Sequence, residues 1–175
     1  NHNNIQQSPN ISDLVLTKVK SKLNKADIKN FIIFHPSAQY SYKIYPRHLR
    51  DKLLVSLDKL GIPILVTGYN NQIDTEIKST LPNLDNIFNW IGETTLEEYF
   101  ALSELSSAYI GMDTLNMHIT AGQNKPIFAI FGPTNLKMWS PWSNQSQKYA
   151  SLDKPIQNYD DITIFQADMS CVACG

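Results

Sequence analysis

The sequence predicts an α/β fold built on a doubly wound parallel sheet, and three observations carry that reading. Short apolar runs rich in β-branched and aromatic residues recur along the chain. Amphipathic stretches of about ten residues or more separate them, which is the spacing of helices that return one parallel strand to the next. Each run ends in a junction holding Gly, Ser, Thr or a charge, as the ligand-bearing crest of such a sheet requires.

The elements follow in order. ISDLVLTKVKSKL (11–23) has apolar residues at helical spacing and opens on a Ser12–Asp13 cap signal. FIIFH (31–35) reads as a buried strand. PRHLRDKLLVSLDKLG (46–61) is an amphipathic helix with Pro near its start and Gly at its end. PILVTG (63–68) is a second strand, NQIDTEIKSTL (71–81) a helix and DNIFNW (85–90) a weaker strand. TTLEEYFALSELSS (94–107) places Thr95 and Glu98 as a capping box. AYIG (108–111), TLNMHITAGQ (114–123) and PIFAIFG (126–132) then read strand, helix, strand, giving about five strands.

Composition fits one globular domain, with 42% hydrophobic and 18% charged residues. A net charge of −1 offers no basic footprint for nucleic acid. No apolar run approaches the roughly 20 residues of a membrane-spanning helix. NHNNIQQSPN is polar and aperiodic, so residues 1–25 read as a linker and leading helix, and 26–170 as the domain. Cys171 and Cys174 form a C-x-x-C in the tail, 171–175. It reads as a turn, or as half of a metal or disulfide site completed elsewhere. The two ends together suggest a piece of a longer protein.

The junctions are HPSAQYSYK (35–43), TGYNNQ (67–72), GETT (92–95), GMDT (111–114) and FGPT (131–134). None carries the dinucleotide or P-loop glycine fingerprint. Lys43 lies in a long loop before a helix and is either a solvated charge or a phosphate partner, with Ser37 able to donate to the same anion. Asp113 and Thr114 stand where a helix cap belongs. Asp113 reads as a cap, a group meeting sugar hydroxyls, or both. His118, one turn on, reads as a packed residue or a base. Gly132–Pro133 makes a turn that would present Thr134 and its amide to the groove. MWSPW (138–142) reads as a loop packed onto the domain or as a sugar-stacking surface. No Ser-His-Asp or Cys-His set can be placed, and no acids have metal spacing.

Together, IGMDTLNMHITAGQNKPIFAIFGPTNLKMWSPWS (110–143) and HPSAQYSYKIYP (35–46) resemble the C-terminal half of the lipopolysaccharide heptosyltransferases, glycosyltransferase family 9. The first resembles the pattern G-x-D-[ST]-x-x-x-H followed by a strand ending F-G-[PA]-T. The second is similar to the H-P-[GST]…K-x-W-P segment. W-x-P-W looks most like the family's third core enzymes.

The resemblance implies the GT-B fold, two Rossmann-like domains around a cleft, of which this chain is the donor-binding one and the acceptor domain is absent. It implies ADP-L-glycero-D-manno-heptose as donor, lipopolysaccharide inner core as acceptor, inverting transfer, and neither metal nor cofactor. Carried over by position, Lys43 would contact the diphosphate with Ser37 in support, and Asp113 would hold heptose hydroxyls. The amides of Thr114, Leu115 and Asn116 would meet the diphosphate, and His118 would orient that loop. Thr94 and Thr95 would border adenine, Gln72 would fall near the ribose, Gly68 would belong to the donor-binding set, and Thr134 would face the groove.

The base would lie in the absent half, so this stretch alone would bind donor without transferring sugar. The setting implied is cytoplasmic, at the inner face of the inner membrane, with a peripheral membrane contact. Leu115 stands where the family usually has Gly or Ala, Asn116 where Pro is common, Tyr45 where Trp is usual, and Gln72 near a ribose-binding acid. These departures leave room for a GT-B module with another donor or acceptor, such as a protein heptosyltransferase or an inactive paralogue. A flavodoxin-like binding domain also fits the periodicity, without accounting for Lys43 or Asp113.

Overall fold

The computed structural model describes residues 7–152 and 154–168, so the Cys171–Cys174 pair lies outside the described residues. Seven strands form one sheet: β1 (Ile32–His35), β2 (Ile64–Val66), β3 (Ile87–Asn89), β4 (Ala108–Met112), β5 (Ile127–Phe131), β6 (Ile156–Tyr159) and β7 (Ile162–Gln166). Their order is β3-β2-β1-β4-β5-β7-β6. All pairings are parallel except β6 with β7. The doubly wound class holds, with two more strands than the five expected.

The helices are α1 (Asp13–Lys25), α2 (Arg47–Asp58), α3 (Gln72–Ser79), α4 (Leu96–Leu105), α5 (Leu115–Gly122) and the short α6 (Leu136–Trp139). Ser12 caps α1 by accepting from Val15 N–H, and Thr95 with Glu98 closes the capping box on α4.

The sheet separates two cores, and the strand residues alternate between them. Val19 and Leu23 of α1, Tyr99 and Leu102 of α4, and Met117 of α5 pack with Ile33, Leu65 and Tyr109 on one face. Leu54 and Leu57 of α2 and Ile77 of α3 pack with Phe34, Ile64 and Val66 on the other. Burial on both faces is why β1 and β2 read as unbroken apolar runs.

The winding reverses between β1 and β4, and there the two strands come unusually close. His35 pairs with Gly111, where an added Cβ would stand 2.3 Å from the His35 carbonyl oxygen. Only glycine fits that approach. It brings the chain leaving β4 beside the chain leaving β1, at the position where open α/β sheets take their ligands.

Candidate functional site

A cavity of about 1000 Å³ opens over the carboxyl ends of β2, β1 and β4. The β1–α2 segment supplies Ser37, Tyr40 and Lys43, the β2–α3 turn supplies Tyr69 and Gln72, and the β4–α5 junction supplies Asp113 through Asn116 with His118. Eight residues expected from sequence therefore share one cavity: Ser37, Lys43, Gln72, Asp113, Thr114, Leu115, Asn116 and His118.

Lys43 ends a single 3-10 turn, Ser41–Lys43, and its backbone runs beside Gly132 of the β5–α6 loop. Asp113 is largely buried and its carboxyl is raised to about 6. Burial is the larger cause, opposed by the Lys43 ammonium and the Thr134 hydroxyl. A carboxylate shifted upward in a cleft and faced by a cation is the electrostatic mark of a site shaped for a polar ligand. His118 is lowered by burial and so is held neutral more readily than an exposed histidine.

The cap reading of Asp113 is corrected here. The N-cap of α5 is Thr114, with extended backbone, and no side chain caps the helix. Asp113 sits one residue too early to reach the first-turn amides. Those of Leu115 and Asn116 have no acceptor within the helix, and both residues line the cavity at the positive end of the α5 dipole. Leu115 projects beside them, 55% exposed.

Thr134 is also placed differently from expectation. Its amide is spent on the Gly132 carbonyl at 2.8 Å, and its own carbonyl accepts from Gln166 Nε2 at 2.8 Å. Its side chain is buried, and the hydroxyl closes no well-formed hydrogen bond although it lies toward Asp113.

Gly68 lies behind the cavity wall. An added Cβ there would meet Asp74 Oδ1 at 2.6 Å, so the glycine makes room for a buried carboxylate. Thr94 and Thr95 stand at the start of α4, away from the cavity-lining residues.

Sequence reasoning missed Tyr40 and Tyr69, and left the MWSPW tryptophans between packing and sugar stacking. Trp139 lines the cavity and is exposed, whereas Trp142 is the member of MWSPW that packs, 6.2 Å from the Tyr149 ring. Beneath the cavity, His35 Nδ1 lies 3.0 Å from Thr67 Oγ1, and burial lowers His35 to about 4, so the ring is neutral. Among the described residues, no group of three His, Cys, Asp or Glu side chains could hold a metal ion.

A Rossmann-like sheet whose crest joins a cation, a carboxylate and an uncapped helix start defines a domain suited to an anionic, hydroxyl-bearing ligand. The chain belongs to glycosyltransferase family 9 (heptosyltransferase), whose family model matches residues 4–163.

Lipopolysaccharide heptosyltransferase 3 of Escherichia coli is 24% identical over 131 residues, covering 73% of this chain and 38% of that protein. The glycosyl transferase family 9 structure from Veillonella parvula superposes with a TM-score of 0.73 at 15% identity, covering 91% of this chain and 42% of that one. The E. coli heptosyltransferase WaaC solved with ADP gives 0.65 at 15% identity, covering 85% and 42%. The same enzyme with ADP-2-deoxy-2-fluoro heptose gives 0.56 at 18% identity, covering 67% and 38%. The chain thus spans about two-fifths of the length of these relatives.

Proposed function

We propose that this chain is the donor-binding part of a metal-independent, inverting glycosyltransferase that moves heptose from ADP-L-glycero-D-manno-heptose to the lipopolysaccharide inner core. The carrying observation is the convergence of Lys43, Asp113 and the uncapped first turn of α5 on one cavity. Family membership and the ADP-bound neighbour support the nucleotide, and the fluoro-heptose complex supports the sugar. The W-x-P-W segment and the likeness to heptosyltransferase 3 favour the third core heptose as the acceptor step.

The chemistry follows from charge. As the bond from the heptose anomeric carbon to the diphosphate oxygen breaks, negative charge moves onto the departing ADP. Lys43 and the amides of Leu115 and Asn116 would take up that charge, and preorganised donors of this kind contribute roughly 3–4 kcal/mol each. Asp113, an acceptor once ionised, would orient sugar hydroxyls. The base that takes the acceptor proton is supplied from outside this chain, so transfer needs the remainder of the enzyme. This reading places the enzyme at the cytoplasmic face of the inner membrane, with a peripheral contact through its other domain. No helix among the described residues is long and apolar enough to cross a membrane.

A second reading rests on Leu115. Its exposed side chain stands at the helix start where close backbone approach to a phosphate favours glycine. That favours a different donor or acceptor on the same frame.

Calorimetric titration with ADP and with ADP-heptose separates the two. The donor reading requires binding to both ligands that survives EDTA. Lys43→Ala should weaken both by roughly tenfold or more, the loss of a charge-assisted contact. Asp113→Ala should weaken mainly ADP-heptose. Binding of ADP without any gain from heptose would move the assignment to another donor sugar.

A further inference from the structure

The β2–α3 turn and the start of α5 belong to opposite helical layers. Ile73 and Ile77 of α3 pack on one face of the sheet, and Met117 and Ile119 of α5 on the other. Over the end of β1 a side-chain hydrogen bond joins them. The Tyr69 hydroxyl donates to Asn116 Oδ1 at 2.6 Å, and both residues line the cavity.

Each end of this bridge is anchored. The Tyr69 amide donates to Asp74 Oδ2 at 2.9 Å, and the Tyr69 ring meets His35 edge to face at 6.1 Å. Asn116 is buried, and its carbonyl accepts from Thr120 Oγ1 at 2.9 Å and from Tyr99 Oη at 3.3 Å. The anchor residues Asp74, His35, Tyr99 and Thr120 are all buried. The bridge itself is half open to the cavity, with Tyr69 40% exposed.

We propose that Tyr69 and Asn116 act as one positioning unit that fixes the gap between the β2–α3 turn and the α5 amides, and so sets the fit of the nucleoside diphosphate. This rests on the donor reading above. With the bond intact, the phenol ring is a wall of the cavity at a set distance from the helix start. Without it, the turn and the helix lose this direct tie across the sheet end, and a ligand contacting both must order them on binding. The role is one of positioning, since neither side chain is asked to take a proton or a charge.

The test is a double-mutant cycle on ADP affinity with Tyr69→Phe, Asn116→Leu and the pair, each also melted without ligand. Tyr69→Phe keeps the ring and removes the donor to the buried Asn116 Oδ1, so its melting temperature should fall by only a few degrees, leaving the chain folded where ADP is titrated, while ADP binding weakens about fivefold. Asn116→Leu should weaken ADP by a similar factor, and the double variant should be no worse than either single one.

Unchanged ADP affinity in Tyr69→Phe overturns the proposal, as does a double variant whose loss is the product of the two single losses. If Asn116→Leu fails to fold, Tyr69→Phe alone still decides. A parent chain that folds but ignores ADP defeats the donor reading itself, a result distinct from a tyrosine variant that binds as well as its parent.

Discussion

Asp113 stores free energy at the site. Its carboxyl is raised from 3.8 to about 6 chiefly by burial, so ionising it costs the folded state. The sign is that of an acid shifted upward: the chain is least burdened below about pH 4, and the burden is complete once pH exceeds about 6. Asp113→Asn should therefore be more stable than the parent at pH 7, by up to about 2–3 kcal/mol, with the gain fading by pH 4. Denaturant midpoints at the two pH values would show it, and an equal gain at both would refute the assignment. The same substitution should weaken binding of the intact donor, the usual exchange of stability for function. Lys43, Ser37 and Asp113 could be placed at the cavity from sequence because each lies in a junction that follows a strand of a parallel sheet. Tyr69 was not placed there. An aromatic residue in a turn carries no periodicity, and its role depends on a partner many residues away, as Tyr69 depends on Asn116.

At the scale of elements, α1 and α4 share apolar packing through Val19, Leu23, Tyr99 and Leu102, and a carboxylate on α4 adds a polar tie. Glu98 faces Lys18 at 2.7 Å and Lys22 at 2.9 Å while it completes the capping box on the Thr95 amide at 3.1 Å. Burial alone would raise this acid. The Lys18, Lys22 and Thr95 hydrogen bonds outweigh it and bring Glu98 down to about 2. Such a group stabilises the fold above about pH 4.5 and loses that contribution as pH falls toward 2. Lys22→Met should thus cost roughly 1–2 kcal/mol at pH 7, and the gap to the parent should narrow in acid. A gap that stayed constant from pH 7 to pH 3 would show that the lysine acts by packing alone.

The capping box was readable because both partners lie within four residues. The β6–β7 hairpin was not. β7 buries only alternate residues, Ile162, Ile164 and Gln166, and its parallel partner β5 lies about thirty residues upstream. No local pattern encodes that pairing.

Across the whole molecule, the class of fold was legible because a parallel sheet with helices on both faces imposes a rhythm on the entire chain. The closing of the site was not, since it depends on Gln166. From the last position of β7 its amide donates to Gly132 at 3.1 Å and to Thr134 at 2.8 Å, fixing the loop that sets Thr134 toward Asp113 and Gly132 beside Lys43. Gln166→Leu would leave the sheet register unchanged, remove the donor to the Thr134 carbonyl and leave the Gly132 carbonyl to the Thr134 amide. It should lower the melting temperature and weaken donor binding together, whereas a loss of stability with donor affinity intact would limit Gln166 to a structural part.

This clamp also imposes an order of events. Lys43 and Asp113 leave the ribosome well before Gln166, and the strands that carry them can pair early. The wall behind them cannot be fastened until the hairpin arrives, because its fastener is among the last residues of the sheet to be made. A nascent chain stopped at residue 150 would carry the residues of the site and lack the clamp that fixes its far wall. The donor cleft proposed above would thus take its final form only after the hairpin of β6 and β7 has been made.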